Sequence, residues 1–162
     1  MENVWQQLIE FWRKQNLPIQ KACIEDDIRS FETRYEIALP PDMREYFLNV
    51  NGMPPYFPGD KDKEGFSFWP LDRVRTLEED NEAHDRRYLR LTEEDSFFLF
   101  CDYLGWSWAY AIKRIPGSRG VEGIYLVGCP NPIKIADSCS DFVRLYLEQS
   151  DRLYPPSGHE RI

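Results

Sequence analysis

Apolar residues recur along the first fifty positions at helical spacing. Val4, Leu8 and Phe11 form one stripe and Trp5, Ile9 and Trp12 a neighbouring one, so residues 3–15 are predicted to form a helix with a broad apolar face. Asn16-Leu17-Pro18 ends it, because a proline disfavours helical geometry in the residue before it. Ile24, Ile28, Phe31 and Tyr35 predict a second helix over about 25–35, with Glu25, Asp26 and Asp27 in the first turn, where the helix dipole favours carboxylates. A doubled proline, Pro40-Pro41, then Asp42, then Met43, Tyr46, Phe47 and Val50 on one face predict a third. Asn51-Gly52 suits the left-handed turn that commonly follows a helix.

After residue 52 the period changes. MPPYFPGDKDKEG, 53–65, reads as a polar loop rich in Pro and Gly, and FSFWP, 66–70, as a short strand ended by Pro70. LDRVRTL from 71 fits a turn of helix or a short strand, and EEDNEAHDRRYL a solvated helix. FFLFCDY, 97–103, is apolar on both faces, as a central strand is. WSWAYAI, 106–112, alternates with period two. It puts Trp106, Trp108, Tyr110 and Ile112 on one face and Ser107, Ala109 and Ala111 on the other. Leu104-Gly105 between these runs predicts a hairpin. GIYLVG, 123–128, and IKIA, 133–136, are further strands. Ser138 caps a closing helix in which Phe142, Leu145 and Tyr146 share a face and Asp141 stands three residues after the cap. The class is α+β: N-terminal helices, a mainly antiparallel sheet of about four to six strands, and a C-terminal helix packed on it. One domain over residues 1–150 and a loosely held tail over 151–162 are expected.

Composition changes this picture little. The 162 residues are 42% hydrophobic and 30% charged, which suits one globular domain. Aromatic residues reach 15%, enough for a well-filled core and an aromatic contact surface. Charge changes it more. The net charge is −8, which disfavours nucleic acid as a direct partner and favours a basic protein. Between residues 76 and 95, eight carboxylates (Glu78, Glu79, Asp80, Glu82, Asp85, Glu93, Glu94 and Asp95) stand against Arg86, Arg87 and Arg90, a net of −5. Such a run is a solvated face or a docking surface that speeds capture of a basic partner. Tyr56 and Phe57, in the neighbouring loop, either anchor that contact or fold back on the sheet.

Candidate chemistry is sparse. His84 lies in the charged run and His159 in the tail, and no His/Cys spacing marks a metal site. Cys23, Cys101, Cys129 and Cys139 form no CxxC pair, which points to a reducing cytoplasm, and three of them lie in apolar or strand-like contexts that suit small core residues. Cys139, near a helix start, is the one candidate for a lowered thiol pKa, with His84 as its partner, in a hydrolase reading. The glycines of GSRGVEG, 117–123, lack the phosphate-loop pattern. Glu93, Glu94 and Asp95 have no apolar neighbourhood to shift their pKa values. No secretory signal opens the chain and no apolar run is long enough to span a bilayer. No cofactor is implied. The broad face of the first helix is compatible with a monomer or a homodimer.

Three blocks resemble one family. IRSFETRYEIALPPDMREYFLNVNG, 28–52, is similar to the N-terminal signature of the SUKH superfamily in its Smi/Knr-like branch. FSFWPLDRV, 66–74, is similar to the strand and turn after that family's variable loop, and FFLFCDYLGWSWAYAI with IADSCSDFVRLYL to its central hairpin and closing strand-plus-helix. The family often has an aromatic where Cys139 stands. The resemblance implies a non-enzymatic α+β binding domain. Many bacterial members are immunity proteins that neutralise a cognate toxin, often a nuclease, whereas fungal members act in cell-wall signalling. It therefore implies a cognate toxin as partner, to which the acidic charge adds the expectation of a basic toxin or other basic protein, with a regulatory or scaffold module binding an endogenous partner as the alternative. It carries over no catalytic residue, since the family's shared residues build its scaffold.

Overall fold

A computed structural model describes residues 3–80 and 96–156. The helices follow the apolar stripes: α1 (Val4–Lys14), α2 (Glu25–Tyr35), α3 (Pro41–Asn49) and, near the C-terminus, α4 (Cys139–Leu147). Between α3 and α4 come β1 (Phe66–Phe68), β2 (Arg75–Thr76), β3 (Phe97–Tyr103), β4 (Trp108–Arg114), β5 (Val121–Val127) and β6 (Ile133–Ala136). Neighbouring strands run in the order β1-β3-β4-β5-β6, with β2 also on β3, and every pairing is antiparallel. The α+β class and the closing helix on the sheet are as the sequence predicts.

Each helix end has a physical cause. The Asn3 side chain accepts from the Gln6 N–H at 2.9 Å to start α1. The Asp27 carboxylate accepts from the Ile24 N–H at 2.9 Å to start α2. The Ser138 hydroxyl accepts from the Asp141 N–H at 3.1 Å to start α4, as its spacing predicts. The first residues of α4 have a second acceptor. Asp42 of α3 takes hydrogen bonds from the Ser140 N–H at 2.8 Å and its hydroxyl at 3.1 Å. An anion from one helix thus sits on the positive end of another. Asn51 and Gly52 adopt φ of 55° and 68°, the left-handed turn expected after α3.

The core lies between the sheet and helices α1, α3 and α4. Phe142 of α4 meets Phe68, Phe100 and Tyr110 with ring centroids 5.9, 5.3 and 5.0 Å away. Trp12 of α1 meets Phe68 edge-on at 5.2 Å. All four cysteines are free and buried, as small core residues are.

One expectation is corrected. Trp106 is not the first residue of a strand alternating with Trp108, Tyr110 and Ile112. Leu104, Gly105 and Trp106 have φ of 48°, 62° and 69°, and the Ser107 N–H closes the turn on the Tyr103 carbonyl at 2.8 Å. The loop is therefore four residues long and β4 begins at Trp108. Residues 106 and 108 have the same parity, so periodicity alone could not separate turn from strand. Residues 151–156, the described part of the expected tail, make defined contacts. Asp151–Leu153 form a 3-10 turn, Leu153 is buried, its carbonyl accepts from the Tyr110 hydroxyl, and Arg152 donates to the Ile135 carbonyl at 2.9 Å. Tyr154 packs edge-on against Tyr103 at 5.5 Å and Trp108 at 6.1 Å. These two residues cover one end of the sheet's aromatic row, a place that no pattern within 151–162 encodes.

A candidate partner-binding surface

The loop over 53–65 is held firmly at its base. The Met53 N–H donates to the Phe68 carbonyl at 2.7 Å, and the Lys63 N–H to the Gln15 side chain at 3.1 Å. Asp62 carries the rest. One carboxylate oxygen accepts from the N–H groups of Glu64, Gly65 and Phe66 at 2.9, 2.8 and 2.9 Å. The other accepts from the Tyr146 hydroxyl, which in turn accepts from the Trp12 indole N–H at 3.0 Å. Loop, α1 and α4 thus meet at one buried carboxylate. Burial pushes the Asp62 pKa above the usual range, against the pull of the Tyr146 and backbone hydrogen bonds.

From this base the loop presents Tyr56 and Phe57, which are 68% and 83% exposed. Of the two dispositions open to them in the sequence, they take the outward one. Pro55 and Pro58 beside them are exposed as well. An aromatic pair left in water on an anchored loop presents apolar area with little order left to lose on binding.

The acidic candidates separate. Glu78 and Glu79 are exposed. The Glu79 carboxylate accepts from the Thr76 hydroxyl at 2.9 Å and the Tyr35 hydroxyl at 3.3 Å, and pairs with Arg34 at 3.3 Å. Its partial burial raises the pKa, but these hydrogen bonds and the Arg34 charge outweigh it, so the carboxyl stays below its usual range. Asp80 lies inside the fold. It is 1% exposed, accepts from the Trp106 indole N–H at 2.8 Å, and pairs with Arg75 at 2.8 Å. Glu82, Asp85, Glu93, Glu94 and Asp95, together with His84, Arg86, Arg87, Arg90 and the solvated helix expected there, lie outside the described residues, as does His159.

Asp80 is therefore expected to matter for stability. Asp80→Asn keeps one oxygen, so one of the two donors, Trp106 or Arg75, loses its acceptor and Arg75 loses its counter-charge, and the unfolding free energy is expected to fall by about 1–3 kcal/mol in denaturant titration. Arg75 is a third exposed, which keeps the loss below that of a fully buried pair. Glu78→Gln, at an exposed position, is expected to stay within about 0.5 kcal/mol of the parent.

The proposed nucleophile is poorly placed for that role. Cys139 is buried, and burial, reinforced by the Asp42 carboxylate, pushes its thiol well above the ordinary value rather than below it. Among the described residues, no three His, Cys, Asp or Glu side chains gather as a metal-binding group, and no helix is long and apolar enough to cross a membrane.

N-terminal helices, an antiparallel sheet and a closing helix packed on it form the α+β architecture that the resemblance of the three sequence blocks implies. The model of the SMI1 / KNR4 family (SUKH-1) matches residues 22–145. The chain belongs to that family. No curated protein matches it at a significant level. The SUKH-1 match spans α2 through most of α4. It leaves out α1 and the 151–156 segment, which close the core of this SUKH-1 chain from outside the matched region through Trp12, Leu153 and Tyr154. The Tyr56-Phe57 loop lies inside the match.

Proposed function

We propose that this SUKH-1 chain is a non-catalytic protein-binding domain of the immunity type, which acts in the cytoplasm by seating on a cognate toxin and blocking its active site or substrate groove. The observation that carries this reading is the exposure of Tyr56 and Phe57 on an anchored loop. Aromatic side chains in such a setting are the usual centres of binding energy in protein interfaces. The acidic run from Glu78 onward adds a reason for the partner to be basic, as a nuclease with a polyanion-binding groove is.

The test is co-expression with the product of the neighbouring gene, followed by measurement of the complex. Tyr56→Ser with Phe57→Ser is expected to weaken binding about 30-fold or more, with thermal unfolding unchanged, because neither side chain is in the core. Glu78→Lys with Glu79→Lys is expected to slow association and flatten its salt dependence. A complex indifferent to all four substitutions contradicts this surface assignment.

A further inference from the structure

A second surface feature lies between α2 and the turn that follows β1. A groove of about 300 Å³ has a floor of Cys23, Phe31, Leu71 and Val74, all buried, and a rim that includes Asp27 and Asp72, both exposed. Ile24, 59% exposed, stands next to it in sequence. Among the described residues neither Asp27 nor Asp72 has a cationic partner, although Arg29 pairs with Asp26 and Arg34 with Glu79 nearby. The Cys23 thiol pKa is pushed up to about 12, by burial first and then by Asp27 and Asp72. An apolar trough bordered by two carboxylates without a cationic partner among the described residues, one of them, Asp27, at the positive end of α2, is complementary to a long side chain with an aliphatic stem and a cationic head.

We infer that this groove receives a basic side chain, lysine or arginine, of the partner protein, with its stem on Phe31, Leu71 and Val74 and its charge at Asp27 and Asp72. The inference rests on the reading of the chain as a protein-binding domain and names what the partner presents to it. The groove joins the acidic run through Arg34, which lines it and reaches Glu79 at 3.3 Å. Arg34 lines the same groove, so the incoming charge is expected at the two carboxylates and not at that guanidinium.

The test is an NMR titration of the isotope-labelled protein with acetyl-Gly-Gly-Arg-Gly-Gly-amide. The control peptide carries citrulline, the neutral analogue, in place of arginine. Saturable shifts are expected on amides of residues 23–34 and 71–74. The affinity is expected to fall about five-fold with citrulline, and again with the Asp27→Asn, Asp72→Asn variant. Asparagine keeps the acceptor for the Ile24 N–H, so α2 retains its start, and Asp72→Asn alone touches no hydrogen bond of the described residues. Shifts that do not saturate, map elsewhere or persist equally with citrulline overturn the inference. This experiment needs no natural partner. Peptide binding in the groove without any toxin captured sinks the immunity reading alone, and a captured toxin indifferent to both carboxylates sinks the groove alone.

Discussion

Phe142→Ala is expected to lower the unfolding free energy by about 3–5 kcal/mol, the range for deleting a fully buried aromatic ring. For a domain of this size that is a fall in Tm of roughly 6–20 °C. Phe142 is wholly buried in the middle of α4 and touches three rings from three strands: Phe68 of β1, Phe100 of β3 and Tyr110 of β4. Those rings are held from other sides, Phe68 by Trp12 and Tyr110 by its hydrogen bond to Leu153, so they are poorly free to collapse into the space left behind. The effect is therefore expected near the upper end. A loss below about 1 kcal/mol in calorimetry or denaturant titration would mean that α4 does not close the core.

Gly52→Ala is expected to cost on the order of 3 kcal/mol or more, by two additive routes. Its φ of 68° strains any residue with a side chain. A Cβ there would also lie 2.5 Å from the carbonyl carbon of Trp69, 2.6 Å from its oxygen and 2.7 Å from the nitrogen of Pro70. These are backbone atoms at the exit of β1, so relief requires moving the strand and the turn that carries Leu71. Gly117 offers the control. Its φ is 73°, yet a Cβ there meets nothing within 4 Å, so Gly117→Ala is expected to cost only about 1–2 kcal/mol. Equal losses at the two sites would show that the approach of Gly52 to Trp69 and Pro70 carries no weight.

The helices and the β3–β4–β5–β6 meander are legible in the sequence because their signals are local. The stripes of α1, the doubled proline before α3 and the alternation of Trp108, Tyr110 and Ile112 each lie within one element. What was not legible depends on distant partners. Asp80 reads as one of eight surface carboxylates until Trp106, twenty-six residues on, turns its indole N–H toward it. Trp106 in turn leaves the strand pattern only because its backbone takes a positive φ. The same holds for the surface. Tyr56 and Phe57 were identifiable as a pair but not as outward-facing, since that depends on the Asp62–Tyr146–Trp12 bonds under the loop. Asp27 and Asp72 come together only when α2 packs beside the 71–73 turn, so no motif could have named them.

The most direct test is hydrogen–deuterium exchange of the protein alone and bound to the product of the adjacent gene. Slower exchange is expected across 53–65 and 71–80 upon binding, with the buried strand amides of β4 and β5 little altered. Protection confined to other segments, or a complex that leaves exchange in both stretches unchanged, would contradict the claim that this SUKH-1 fold works by presenting those two segments to another protein.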